Sequence, residues 1–500
     1  MTSRSYGLLA GGLCFAATFV LPMPAGMTAQ SWHVAGLVFW MAIWWMTQAV
    51  PLTATALLPF LVLPMLGIMD ANKVAAAYYS PILFLILGGA FLALAIERTG
   101  LHRRLALAIV NRSGSTAWSL LLGFMVATAL LSTFMSNTSS ALIMLPMAMA
   151  VLDVIARSDR EATGFSAAVP SGTLGQGASP AFHPDDFADE NMDKPGFPAA
   201  LILGIAFAAS IGGIGTLVGS PTNAIAAGMI NKQLGTDIDF LTWLIYGMPV
   251  VLLGIPLCAA ILIKVQQVGR NDVDVEAARR AIGYQGAWTM PELRLVPIVM
   301  LVFALWVGLP LIEPLFGKGA ITDGSIAILG GLLLFVLPDG TGRPLLLWKE
   351  ADRAPWGVIM MFGGGLALAE GITGSGLAAW LGEAMEPLGM VPVIFIAAAL
   401  VALVVLVTEF ASNVATASAV MPVVASMVMA TGVDPMLLAM PAAIAASWGF
   451  MMPSGTGPNA LAWSTGRVYL PRMLKAGLML DMAGIPFILL VVWAVRSLGF

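Results

Sequence analysis

A chain of 500 residues that is 59% hydrophobic and only 10% charged, with mean hydropathy +0.91, cannot hide its apolar surface as a soluble domain, since soluble domains carry about a quarter charged residues. The composition predicts an all-α polytopic membrane protein. The net charge of −4 supplies no basic field for nucleic acid. Two cysteines in apolar runs (Cys14, Cys258) and three scattered histidines (His33, His102, His183) exclude a disulfide framework and a metal-ligand pattern.

A spanning helix needs about 20 apolar residues. In chain order such stretches fall at 6–22, 32–48, 52–69, 79–97, 200–230, 242–264, 295–313, 320–338, 356–372, 437–464 and 476–497. The first has the outline of a signal peptide, with Arg4 ahead of an apolar run to Val20, but reads as a span. Two longer apolar segments, 118–156 and 391–431, carry polar residues near their centres. These are Ser136, Asn137 and Thr138 in the first, and Ser412 and Asn413 followed by Val414 in the second. Polar side chains at membrane depth are costly and mark function. Each segment is read as a re-entrant hairpin of two short arms, 119–135 and 139–155 in the first, whose uncharged tip stops at mid-membrane. Between them, 158–198 is polar, acidic and rich in Gly, Pro and Ser, and reads as a solvated cytoplasmic linker, with a regulatory or partner-binding role as its alternative.

Lysine and arginine concentrate in cytoplasmic loops. With the N-terminus inside, the inner loops hold Arg98, Arg103, Arg104 and Arg112, then Lys264, Arg270, Arg279, Arg280 and Arg294. Arg343, Lys349, Arg353, Arg467, Arg472 and Lys475 follow on the same side, leaving only Lys73, Lys232, Lys318 and Arg496 outside. This predicts 11 transmembrane helices plus two re-entrant hairpins in the lipid of the plasma (inner) membrane, with a cytoplasmic N-terminus and an extracytoplasmic C-terminus. Counting each hairpin as two crossings leaves the parity unchanged, so charge orients the chain without deciding the hairpins.

Landmarks recur at a near-constant offset. Pro64 and Pro338 stand 274 apart, Gly88 and Gly363 275 apart, and the two tips, like Pro146 and Pro422, 276 apart. GTLVGSPTN, ending at Asn223, and PSGTGPN, ending at Asn459, are 236 apart. The 40-residue shortfall matches the insertion, which only the first half carries. Between partners the chain crosses an odd number of times, so the halves form an inverted repeat, an arrangement typical of secondary transporters with a mid-membrane site.

Glycine and proline within the spans at 215–223 and 453–459 break the helical hydrogen-bond ladder. Irregular backbone at depth persists only where it lines a protein-walled or wet cavity. Freed carbonyls and Ser/Thr hydroxyls are hard oxygen ligands suited to sodium, and helix N-termini suit an anion. Ser132 and Thr408 are hydroxyl residues four positions before each tip serine, as paired cation sites require.

SNT on the first tip, an SNT-like SNV on the second, and GSPTN and GTGPN on the broken spans resemble the divalent anion–sodium symporters, carriers of dicarboxylates, citrate and sulfate. The resemblance covers nearly the whole chain apart from 158–198. It implies a homodimer whose protomers each move a transport domain past a scaffold, an elevator mechanism. Scaffold helices would occupy 1–117 and 295–389. The transport domain would comprise hairpins 118–157 and 390–432, with the broken helices and following spans of 199–264 and 433–500. The stretch 265–294 would be a cytoplasmic linker. One sodium site would use Ser132, Ser136, Asn137 and the backbone at Gly219. The other would use Thr408, Ala411, Asn413 and the backbone at Gly455. A small anionic substrate would meet Asn137, Thr138, Ser220, Pro221, Asn413, Val414 and Thr456.

The chain departs from the family pattern at three positions. Val414 replaces a threonine, and Thr222 and Gly457 stand where proline is usual. The missing hydroxyl at 414 removes a donor worth about 1.5–3 kcal/mol toward a charged group, which points to altered selectivity at one end of the anion. Glu409 beside the second tip reads as a salt-bridge or capping residue, with a cation or proton ligand as its alternative. Glu370 and Asp481 read as span-end or paired residues, and Glu97 and Arg98 as a cytoplasmic boundary. The expected function is sodium-coupled symport of a C4 dicarboxylate, by a transporter and not an enzyme. Its rivals are a sulfate or other oxyanion carrier and a sodium-independent exchanger. An intramembrane enzyme lacks a catalytic dyad or metal cluster, and a receptor lacks a large soluble domain.

Overall fold

The computed structural model describes residues 3–162, 196–270 and 286–499, except 318, 386, 388 and 389. The insertion expected at 158–198, but for its two ends, and the middle of the 265–294 linker lie outside the described residues. The first half contains α1 (Ser3–Ala17), α2 (Ala29–Thr47), α3 (Leu52–Thr55), α4 (Leu58–Met65), α5 (Ala71–Ala77), α6 (Pro81–Thr99) and α7 (Leu101–Val110). It continues through α8 (Ala117–Ser132), α9 (Asn137–Ala162), α10 (Phe197–Gly213), α11 (Pro221–Leu234) and α12 (Phe240–Val265). The second half contains α13 (Met290–Phe316), α14 (Asp323–Val336), α15 (Trp348–Ala351), α16 (Trp356–Gly374) and α17 (Leu377–Met385). Then come α18 (Val393–Phe410), α19 (Asn413–Thr431), α20 (Pro435–Ala445), α21 (Gly457–Ser464) and α22 (Leu470–Ser497). Among the described residues the fold is helical, with one isolated antiparallel bridge between Pro338 and Pro344.

Local chemistry sets the helix ends. Thr116 with Ser119, Thr289 with Glu292 and Thr322 with Ser325 form capping boxes that start α8, α13 and α14. Gly100, at φ +82°, ends α6 in a conformation few other residues adopt and turns the chain into α7. Eight described helices are long and apolar enough to cross a membrane: α6, α9, α12, α13, α16, α18, α19 and α22. Three hairpin arms are among them, so the arms are longer than expected. The spans expected at 200–230 and 437–464 are each two half-helices, and 52–69 is divided between α3 and α4, with Pro59 at the start of α4.

α10 is the centre of the molecule. Nearly every residue of it is buried, against α8, α9, α12 and α21. On the other side α6 and α14 pack closely enough that a methyl on Gly88 would lie 2.4 Å from the Ala327 carbonyl oxygen. Such contacts let membrane helices bind by dispersion where no hydrophobic drive exists. A separate apolar cluster joins α2, α4, α5 and α16 through Leu37, Leu63, Val74 and Ala367. At the charged end of α6, Arg98 binds the Asp339 carboxylate and the carbonyls of Pro344 and Leu345, fixing the 337–347 loop to the helix. Burial works against the Asp339 charge, but the Thr341 hydroxyl and amide and the Arg98 guanidinium hold its carboxyl down to about 2. Glu97 pairs with Arg353 at 3.3 Å, and Glu370 with Lys232 at 3.0 Å.

Candidate anion and cation site

The two tips and two breaks repeat one geometry. α8 ends at Ser132 and the chain turns through 133–136 into α9; α18 ends at Phe410 and turns through 411–412 into α19. The buried Ser132 hydroxyl lies 2.9 Å from Asn137 Oδ1 and 2.6 Å from the Ala209 carbonyl oxygen. The buried Thr408 hydroxyl lies 2.9 Å from Asn413 Oδ1 and 2.8 Å from the Ala446 carbonyl oxygen. Each tip is thus tied to its own half's broken helix by a hydroxyl that also orients the tip asparagine.

The tip and break hydroxyls cap helices. Ser136 accepts from the Ser139 amide at 3.2 Å, and Ser412 from the Ala415 amide at 3.2 Å. Ser220 accepts from the Thr222 amide at 3.4 Å, and Thr456 from the Asn459 amide at 3.2 Å. Four helices therefore start inside the bundle, each with free amides and partial positive charge. The starts pair across the halves. α9 packs on α21 and α11 on α19, and a methyl on Gly457 would lie 2.3 Å from the Thr138 hydroxyl. That close approach suits the glycine found at 457, where proline is usual in the family.

Carbonyl oxygens gather round one glycine in each break. A methyl on Gly219 would lie 2.7 Å from the Gly213 oxygen, 2.9 Å from the Ser132 oxygen and 3.1 Å from the Thr133 oxygen. At Gly455 the Glu409, Met452 and Thr408 oxygens lie at 3.2, 3.4 and 3.6 Å. Each cradle is a hard-oxygen donor set without formal charge, a fit for a monovalent cation. Beside each sits an asparagine that sequence reasoning quoted but gave no role. Asn223 Nδ2 donates to the Gly213 and Thr216 carbonyls, both at 2.7 Å, and Asn459 Nδ2 to the Met452 carbonyl at 3.2 Å. Their Oδ1 atoms are buried without a hydrogen-bond partner. The visible signal was the shared final asparagine of GSPTN and GTGPN.

The remaining residues fall as follows. The Ser136 hydroxyl caps α9, lies 2.8 Å from the Ser139 hydroxyl and lines the same cavity as Gly219. Ala411 is buried in extended backbone directly after α18. Val414, half-buried, packs against both apolar clusters, whereas Thr138 is exposed. The Glu409 carboxylate accepts from the Met451 amide at 3.0 Å and the Met452 amide at 2.8 Å, two amides of the irregular break between α20 and α21. A cavity of about 170 Å³ runs from Ser136, Gly219 and Pro221 to Glu97 and Arg353.

Comparisons with known proteins give the family. A family model described as the sodium:sulfate symporter transmembrane region matches residues 3–498. The sodium-dependent dicarboxylate transporter SdcS of Staphylococcus saprophyticus is 35% identical over 497 residues, covering 97% of this chain and 90% of the relative. SdcS of Staphylococcus aureus strain MRSA252 is 35% identical over 509 residues, covering 99% and 92%. Among solved structures, the Alcanivorax borkumensis YdaH transporter matches with a TM-score of 0.53 at 14% identity over 100% of this chain and 99% of that one, a likeness of fold alone. With the family model spanning nearly the whole length and relatives of this identity along it, the chain belongs to the sodium:sulfate symporter family, the divalent anion–sodium symporters.

Proposed function

We propose that this protein is a sodium-coupled symporter of a small divalent anion, a C4 dicarboxylate such as succinate, malate or fumarate. The observation that carries the reading is the pair of uncharged oxygen cradles at Gly219 and Gly455, set among four capped helix starts. Two sodium ions there would balance one divalent anion without any lysine or arginine taking part. Ser132 and Thr408 hold Asn137 and Asn413 by their Oδ1 atoms, which leaves the amide NH₂ groups as donors for the anion. Thr138, Ser220 and Thr456 add hydroxyls, and the α11 start at Pro221 adds a positive helix end. Cation and anion would thus share Asn137 and Asn413. Filling a cradle would fix the asparagine that receives the carboxylate, which is a direct physical basis for coupling. Names of the relatives support the dicarboxylate and the sodium.

The same reading takes the protein as a homodimer in the plasma membrane, with 11 spans, two re-entrant hairpins and the N-terminus cytoplasmic. The hairpins, α10–α12 and α20–α22 would move as an elevator past the rest. The cavity reaches Glu97 and Arg353, on the side the charge rule makes cytoplasmic, so the state described would be inward-facing. The deciding experiment is uptake of labelled succinate and sulfate into proteoliposomes with and without an inward sodium gradient. Sodium-driven succinate uptake is expected. Preference for sulfate would move the substrate class, and counterflow indifferent to sodium would make the protein an exchanger.

A further inference from the structure

The cavity beside the tips contains one charged pair that the proposed site does not use. Its wall follows a stripe of α6, from Ile86 past Gly89 and Ala93 to Glu97. Gly89 lies against Val218, the residue before Gly219, since a methyl on it would meet the Val218 side chain at 2.8 Å. Glu97 is a little over two turns further along the helix, about 12 Å at 1.5 Å per residue. There it meets Arg353, in the turn between α15 and α16, whose Nη1 donates to Glu97 Oε1 at 3.3 Å. Among the described residues, these are the only charged side chains lining the cavity. The neighbouring Arg98 is anchored by the Asp339 carboxylate and the Pro344 and Leu345 carbonyls. The Arg353 side chain has the Glu97 bond alone among the described residues and is 57% exposed. An exposed ion pair adds little stability, so this guanidinium can exchange its partner at small cost.

We infer that Arg353 is an outer binding station for the anion on its way between the tips and the cytoplasm, with Glu97 as the competitor that frees it. A planar guanidinium meets a carboxylate with paired N–H donors. One cation in an otherwise apolar cavity also raises the local concentration of a dianion. Glu97 claims the same donors, so the anion's stay is short and Arg353 does not become a trap. The station exists in one half only. The 275-residue offset that relates Gly88 to Gly363 relates Glu97 to Ile372 and Tyr78 to Arg353. Tyr78 and Ile372 are buried in the apolar cluster around α2 and α16, and the Tyr78 hydroxyl donates to the Ala56 carbonyl at 2.6 Å. The repeat therefore supplies no matching station for the opposite face. Arg353 acts on cargo only from the face that the charge rule makes cytoplasmic.

The inference rests on the symport reading, and one experiment keeps the two apart. The half-saturation for labelled succinate is measured in inverted membrane vesicles, whose cytoplasmic face is outward, and in right-side-out vesicles, each with an inward sodium gradient. Arg353→Gln should raise it about tenfold in inverted vesicles, the lower end of electrostatic focusing, and change it little in right-side-out ones. Glu97→Gln releases the guanidinium and should lower it in inverted vesicles. The opposite signs are the signature, because a pair that merely clips α6 to the 353 turn is broken alike by either substitution. Shifts of the same sign, no shift in inverted vesicles, or equal shifts on both faces overturn the station. Should Arg353→Gln not reach the membrane, Glu97→Gln decides alone. A lowered half-saturation then supports the station, and an unchanged or raised one overturns it. Wild-type succinate uptake indifferent to sodium overturns the symport reading and leaves the sign test in force.

Discussion

The Gly219 and Gly455 cradles descend from one plan, and their differences lie in what supports them. The hydroxyl pairs are nearly superimposable in distance, with Ser132 at 2.9 and 2.6 Å and Thr408 at 2.9 and 2.8 Å from their two partners. The supports have diverged. In the first half Thr216 donates to the Thr133 carbonyl at 2.5 Å, Asn223 bridges two carbonyls, and the oxygens crowd Gly219. In the second, Met452 stands where Thr216 would, Asn459 makes one longer bond, and a carboxylate secures the break. The tip hydroxyls kept their geometry, while the means of holding the breaks changed from a neutral hydroxyl and amide to a buried carboxyl group. The first cradle is therefore the tighter and less adjustable.

The strongest way to break this comparison is a methyl in each cradle. Gly219→Ala places a Cβ within 2.7–3.1 Å of three backbone oxygens. Backbone cannot yield as a flexible side chain does, so the carbonyls shift and sodium-driven succinate uptake should fall roughly a hundredfold, the scale of an ångström-level misplacement. Gly455→Ala meets its nearest oxygen at 3.2 Å and should lose much less. Equal losses in matched proteoliposomes would mean that the two cradles are not graded in tightness.

A smaller effect is expected from the supporting asparagines. Asn223→Ala removes two donors at 2.7 Å and leaves the Gly213 and Thr216 carbonyls buried without them. An unsatisfied buried group costs about 1–3 kcal/mol, so the sodium half-saturation should rise about tenfold, with a lowered melting temperature. Asn459→Ala gives up one bond at 3.2 Å and should shift sodium affinity less. The reverse order would show that the unpartnered Oδ1 atoms, and not the donor bonds, matter most.

These supports were the least legible part of the sequence. The tips and breaks could be found because Ser136–Thr138, Ser412–Asn413 and the Gly/Pro clusters interrupt apolar runs, and the near-constant offset exposed the repeat. The hydroxyls at Ser132 and Thr408 could be matched for the same reason. Asn223 could be quoted within a motif, but its bond to Gly213 crosses a break whose path no periodicity describes. Glu409 could be singled out beside the second tip, but its bonds to the Met451 and Met452 amides reach across to the break and follow from packing alone. The short helices α7 and α17 escaped notice because 10 and 9 residues fall below a span-length window. The arms α9, α18 and α19 have apolar stretches of 19, 18 and 19 residues, slightly longer than the arms the sequence suggested.

The smallest expected effect tests the asymmetry of the tips themselves. Thr138 is exposed beside Gly457, while Val414 is half-buried against both apolar clusters. A dicarboxylate has methylene groups between its charges and tolerates one apolar wall. Sulfate presents oxygen on every side and leaves such a wall unpaired. Val414→Thr adds a donor near the anion but exchanges a packed methyl for a hydroxyl, and valine and threonine are not interchangeable in a packed site. A hydrogen bond to a charged group is worth about 1.5–3 kcal/mol and a buried methylene about 0.8 kcal/mol, so the two terms partly offset each other. The ratio of sulfate to succinate transport should rise several-fold at most, while the sodium half-saturation stays in place because Ser412 and Asn413 are untouched. Competition of sulfate against labelled succinate measures the first quantity, and a sodium titration of uptake the second. An unchanged anion ratio would mean that position 414 faces packing and not cargo, and that the asymmetry between the halves is confined to how the cations are held.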